Sequence, residues 1–288
     1  MAFQREKQSI SASQLLQALA DGEEILLSQC VITGVFDINR LFDPAEKFQT
    51  DKLRFRQDGP VKKVFFDQPL VFDKCVFEEN LVFAGPWSEP ESISVEFKTD
   101  VIFNSSHFKA QARFRNAVFN ATAGFDGCVF DGVATFKNAV IHGEAKFRTA
   151  VFSGYSLFGN MVFNSSARFT NTHFVKGANF AEVKFIGQID FNGVYSSSRT
   201  VPAIEGITFA RKRYGEDESF WRFVKQSAQE AGYYDLDGEC FYSERCAMFW
   251  SKFYGLGYDA LSPGKKILRQ ITGLKLLPEL IFGRLLFG

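Results

Sequence analysis

The chain has 288 residues, enough for one large domain or two ordinary ones and for a sizeable core. Lys plus Arg and Asp plus Glu balance at 33 each, which excludes a global field that would recruit or repel nucleic acid. Five cysteines without a CxxC pair or a Cys/His cluster at zinc spacing point to small reduced core residues in a cytosolic compartment, and Phe, at 35 residues, is the compositional outlier.

The opening "MAFQREKQSISASQ" lacks the apolar run of a secretory signal. Next, "SISASQLLQALADGEE" offers Ser11 or Ser13 as a helix cap, an apolar stripe at Leu15, Leu16 and Leu19, and Gly22 as a stop. That predicts a capping helix within residues 1–22. In "ILLSQCVITGVFDI" (25–38) the large residues Leu27, Ile32 and Ile38 begin a spacing of five and six. Residues 39–60 are charged and irregular and read as a loop. Phe66, Phe72, Phe77 and Phe83 resume the spacing, "GPWSEPESIS" (85–94) breaks it, and Phe97 restores it. The break predicts a loop projecting around Trp87, a candidate contact site on an otherwise regular scaffold.

From Phe103 the spacing holds without a flaw: Phe108, Phe114, Phe119, Phe125, Phe130, Phe136, Ile141, Phe147, Phe152, Phe158, Phe163, Phe169, Phe174, Phe180, Phe185 and Phe191. Neither the strand period of two nor the helix period of 3.6 produces it. The period is eleven, split five plus six. Two positions before each large residue stands a small one, as at Ala112, Ala123, Cys128, Ala134 and Ala145. Two positions after it, turn formers recur, as at Asn116, Gly127, Gly132, Asn138, Gly143, Gly154 and Asn171. Each unit therefore reads as a very short strand plus a corner, with the large residue and the small one before it turned to the same side.

This pattern resembles the pentapeptide-repeat family, in a Phe-rich variant with one residue added to every second unit. The resemblance implies an all-β solenoid, a right-handed quadrilateral β-helix with four short sides per coil, an N-terminal capping helix and a C-terminal α-helical region. The helix before residue 22 is similar to the short helix that precedes many bacterial members. With four sides to a coil, two elevens make 22 residues, so Phe103, Phe125, Phe147, Phe169 and Phe191 should stack in one column.

The repeat, spanning 23–194, stops there. Residues 195–261 read as a helical cap. Phe220, Phe223, Val224, Ser227, Ala228 and Ala231 share one helical face, and Tyr242, Cys246, Phe249 and Phe253 share another. Two antiparallel helices joined by "GYYDLDG" would cover the last coil. The tail, 262–288, carries Lys265, Lys266, Arg269, Lys275 and Arg284 against the single acid Glu279, amid dense Leu and Ile. It holds no 18-residue uncharged run, so it does not read as a spanning helix. A basic amphipathic segment can lie on an anionic membrane, pack on the solenoid or dock on a partner helix. For the membrane reading the candidate contacts are Lys265, Lys266, Arg269, Lys275, Leu277, Ile281 and Arg284.

No motif announces chemistry. His107, His142 and His173 each adjoin an inward residue and so point outward, and Walker, GxSxG and HExxH patterns are absent from the sequence. The expectation is a non-enzymatic bacterial scaffold without cofactor or metal. It would meet a protein partner through its outer faces: Val118, Val140 and Val162 on one side, Val129 and Val151 on the opposite side, and the loop at Trp87. Self-association and an anionic membrane surface are further expected contacts, with a cytoplasmic location peripheral to or tethered at the inner membrane. The second reading is the cytoplasmic domain of a membrane channel-like protein. The third, implied by the family, is a topoisomerase-binding DNA mimic. Mimicry needs a carboxylate-dense surface, whereas residues 101–193 hold nine Lys/Arg and five Asp/Glu. The same scatter makes a nucleic-acid partner a poor fit.

Overall fold

A computed structural model of the chain describes residues 2–287 except 87, 90, 91, 198, 212 and 213. Short strands stack in four sheets, of eight, eight, six and eight strands. Through the regular repeat, the chain visits the four in fixed rotation. Ala123–Gly124 pairs with Ala145–Lys146 in the first sheet, and Val129–Phe130 with Val151–Phe152 in the second. Ala134–Thr135 pairs with Ser156–Leu157 in the third, and Val140–Ile141 with Val162–Phe163 in the fourth. All of these pairings are parallel and offset by 22 residues, the architecture of a β-solenoid.

The phenylalanines fill its interior in columns. Along the first sheet, successive ring centroids lie 5.5 Å (Phe103–Phe125), 5.2 Å (Phe125–Phe147), 4.8 Å (Phe147–Phe169) and 4.7 Å (Phe169–Phe191) apart. That column meets the third-sheet column edge to face, as at Phe125–Phe136 (5.2 Å, 81°). Stacked along the axis and T-shaped across it, the rings adopt both favourable quadrupole geometries at once. The small residues Ala112, Ala123, Cys128 and Ala134 are fully buried between them.

The corners come in two kinds. Ser105, Asn116, Gly127, Asn138, Thr149, Asn160, Asn171, Glu182 and Gly193 all have positive φ, one every eleven residues. These left-handed corners close the five-residue sides, and Asn or Gly is favoured there because a Cβ costs least in Asn and nothing in Gly. The six-residue sides turn without positive φ in the described backbone of 106–170, which is where the added residue goes.

At the front, two strands precede the helix. Ala2–Glu6 pairs with Glu24–Ser28 in the first sheet, and Ser9–Ser11 with Val31–Thr33 in the second. Helix α1 (Ala12–Ala20) then replaces the next two sides of that turn and buries Leu15, Leu16 and Leu19. Ser11 caps it in a reciprocal box with Gln14: Gln14 N–H donates to Ser11 Oγ (3.3 Å) and Ser11 N–H to Gln14 Oε1 (3.0 Å). The stretch 39–60 is more ordered than a loop. A 3-10 turn covers Ile38–Phe42, and Arg54–Asp58 pairs antiparallel with Val61–Phe66 at the edge of the fourth sheet. The segment after Phe83 starts by folding down rather than out. Ala84 and Gly85 are buried, and Gly85 O accepts a hydrogen bond from Arg113 Nη2 (2.9 Å) over the third sheet. Trp87 lies outside the described residues.

Strand pairing continues past 194 with Tyr195–Ser196, a bridge between Asn179 and Ala203, and Thr208–Phe209, whose ring stacks on Phe185 at 5.4 Å. Helix α2 (Glu218–Ala231) then covers the end of the stack. Phe220 rests on Phe191 (5.0 Å), Phe209 (5.3 Å) and Phe180 (5.9 Å), and Phe223 on Phe174 (5.9 Å). Helix α3 (Tyr234–Tyr254) begins directly after Gly232–Tyr233, so the connection is shorter than "GYYDLDG". Glu244 binds it to α2, meeting Arg222 Nε at 3.0 Å and Lys225 Nζ at 2.5 Å. Helices α4 (Pro263–Leu274) and α5 (Leu277–Phe287) pack on α3.

Candidate functional site

Two surfaces stand out, one on the solenoid and one on the tail. On the fourth sheet the register aligns Glu96, Val118, Val140, Val162 and Lys184 in one outer row. On the second, His107, Val129, Val151, His173 and Tyr195 form another. The valines of both rows are half-buried, each sandwiched between its row neighbours. The rows are flat ladders of partly covered β-branched side chains, bounded by charged or aromatic residues.

Contacts between coils join residues that the sequence holds 22 or 24 apart. His107 Nε2 meets Asp131 Oδ2 at 2.6 Å. His142 Nδ1 lies 3.2 Å from Asn164 Nδ2. His173 Nε2 meets Ser197 Oγ at 2.5 Å while its ring stacks on Tyr195 at 4.1 Å. Partial burial lowers the His173 pKa from its ordinary value. An imidazole beside a hydroxyl is the pairing of base and nucleophile, but both groups sit on an open side rather than in a cleft. Sequence spacing could not reveal these pairs, since the offset becomes meaningful only once the coil length is fixed.

The basic residues of the repeat are largely engaged. Arg113 is buried under the segment at Gly85, and burial lowers its pKa from the ordinary guanidinium value. Arg148 binds Asp126 (2.5 Å), Lys146 and Arg168 both bind Glu144 (3.0 and 2.8 Å), and Lys109 meets Glu78 (3.4 Å). Each pair runs within or between neighbouring coils, so the outer skin alternates in sign. A cleft of about 290 Å³ opens beside the end of α1, lined by Leu19, Leu53 and Phe65, with its rim charges Arg54 and Asp67 joined at 2.8 Å. Among the described residues no three His, Cys, Asp or Glu side chains converge as a metal site.

The tail is inverted. On α4 three polar residues, Lys266, Arg269 and Gln270, turn inward: Arg269 Nη2 donates to Ser251 O (2.6 Å) and Nη1 to Leu256 O (3.3 Å), capping the end of α3. Gln270 Nε2 donates to Tyr258 Oη (2.5 Å), and Lys266 Nζ stands over the Tyr258 ring at 5.3 Å. Gly273 and Gly283 allow close approach to α3: a Cβ on Gly273 would lie 2.9 Å from Lys252 Cβ, and one on Gly283 3.0 Å from Tyr242 Cδ2. The Tyr242 and Phe253 stripe of α3 is thus covered by the tail. Ile267, Leu268, Ile271, Leu274, Leu277, Ile281 and Phe282 face solvent, between 37% and 64% exposed. Lys265, Lys275 and Arg284 are exposed as well, whereas Lys266 and Arg269 are half-buried. Glu279 is drawn to Arg245 at 2.9 Å. Among the described residues no helix is long and apolar enough to cross a membrane.

No family model, curated protein or solved structure matches the chain. The geometry of its surfaces is therefore what bears on function.

Proposed function

We propose that the chain is a pentapeptide-repeat scaffold, a right-handed quadrilateral β-helix that binds a protein partner through its outer faces and carries out no catalysis. The observation that carries this reading is the in-register row Val118–Val140–Val162 on a flat side. The space behind that row is occupied by stacked rings, such as Phe163–Phe185 at 5.0 Å, so a ligand meets the skin and not an interior. Half-buried valines in a fixed lattice lose little side-chain entropy on contact, which suits a preorganised protein interface. The interleaved ion pairs at Asp126, Glu144 and Glu78 support this reading over DNA mimicry, because a phosphate-like ladder needs one sign of charge. The test is affinity capture from the native host with the chain and with a Val118→Lys, Val140→Lys, Val162→Lys variant of unchanged thermal transition. A specific partner lost by the variant supports the row as the interface. Equal capture by both removes it.

A further inference from the structure

We propose that the α4–α5 tail is a docking face for an anionic lipid surface, on which it lies without spanning. This goes beyond the solenoid reading and stands without it. An amphipathic helix in water buries its apolar stripe and shows its charges. Helix α4 does the reverse: Lys266, Arg269 and Gln270 are committed to Tyr258 and to the carbonyls that end α3, and this fixes Ile267, Leu268, Ile271 and Leu274 outward. The exposed row runs on into Ile281 and Phe282 of α5. Scattered surface apolar residues need no explanation, but a continuous set on two successive helices marks a contact.

Charge selects the occupant. The cations that remain exposed, Lys265, Lys275 and Arg284, flank the apolar row, and the single acid of the tail, Glu279, is held by Arg245. A second copy of this chain would bring an identical positive fringe against the first. An anionic leaflet offers the complement: apolar side chains enter the headgroup boundary while Lys and Arg reach the phosphates. Helices of 12 and 11 residues are too short to cross a bilayer, so the face lies in its plane.

The experiment is flotation of the full-length chain with vesicles of phosphatidylcholine plus phosphatidylserine, and with vesicles of phosphatidylcholine alone. The chain is expected on the anionic vesicles and to be strongly reduced on the neutral ones. Ile271→Glu with Ile281→Glu is expected to abolish flotation. Lys265→Glu, Lys275→Glu and Arg284→Glu together are expected to weaken it about 100-fold or more, since each basic residue near such a surface contributes about fivefold. All five substituted side chains are exposed, so both variants should keep the wild-type thermal transition. Absence of flotation on anionic vesicles overturns the proposal, as does equal flotation of the isoleucine variant. A wild-type dimer that Ile271→Glu converts to monomer, without flotation, would instead assign the face to a second copy.

Discussion

Thr149 occupies a left-handed corner at φ 56°, in a series whose other members include four asparagines and two glycines. A β-branched residue is strained in that region by about 1–2 kcal/mol. Thr149→Asn is therefore expected to stabilise the chain by about 1 kcal/mol, read as a higher midpoint in chemical denaturation. Phe136 is the opposite case, fully buried and in ring contact with Phe114, Phe125, Phe147 and Phe158. Phe136→Ala should cost about 3–5 kcal/mol in the same assay. The central rings and the small residues before them were legible because period eleven is a property of the string itself. The alternation between left-handed and wide corners was harder to read: Gly and Ser occur at both, as at Gly127 and Gly132, and there only backbone φ separates them. The cysteines follow the packing. Burial raises the thiol pKa of Cys75 and of Cys240 from 9.0 to about 12, and it raises that of Cys128 as well. The native state thus holds more protons than the unfolded chain between pH 9.0 and about 12, and stability should fall as pH rises through that window. At neutral pH a thiol reagent is expected to label half-buried Cys246 first, with Cys30, Cys75, Cys128 and Cys240 protected until denaturant is added. Fast labelling of all five would contradict this packing.

Among the elements, α1 shows what a short polar signal can do. Its start was readable from Ser11 and Ser13, and the structure selects Ser11, whose reciprocal contact with Gln14 closes the first turn. Ser11→Ala should cost about 1 kcal/mol, measurable by denaturation. The two strands before it escaped the sequence reading for a physical reason. Most of Ala2–Glu6 is exposed, so nothing imposes the inward-outward alternation by which strands are recognised. The same holds for Arg54–Asp58, exposed along its whole length and set by hairpin pairing to Val61–Phe66 rather than by a buried face. Strand pairing beyond 194 was hidden by the long excursion between Tyr195–Ser196 and Thr208–Phe209, which destroys the spacing while Phe209 still finds its column. On α3 the aromatic stripe was visible, but its partner was not. Gly273 and Gly283 bring the tail onto that stripe, and small residues leave no trace in a hydrophobic pattern.

At the scale of the molecule, a stack of parallel strands has two ends, and each exposes unpaired backbone groups that invite another chain. The far end consists of Ala178–Asn179, Ile189–Asp190, Tyr195–Ser196 and Thr208–Phe209, the terminal strands of the four sheets. Helix α2 shields it by side-chain contact. Phe220 sits below the last rings of three columns, and Ser219 Oγ accepts a hydrogen bond from Phe191 N–H at 3.0 Å. Because Glu244 ties α3 to α2 through Arg222 and Lys225, the helical region is anchored to the stack through α2, by Phe220 together with Phe223 on Phe174 and Phe191 and Trp221 on Phe209. Phe220→Asp places a carboxylate among four phenylalanine rings, a burial that lifting the cap away would relieve. The coils themselves contact only their neighbours, so they should remain folded when the cap lifts. The expected result is an unchanged β-rich circular dichroism spectrum together with a concentration-dependent rise in mass by light scattering, as bare ends pair. If the variant keeps the wild-type mass at every concentration, α2 is not what guards the end, and the irregular segment between Tyr195 and Thr208 must be protecting it instead.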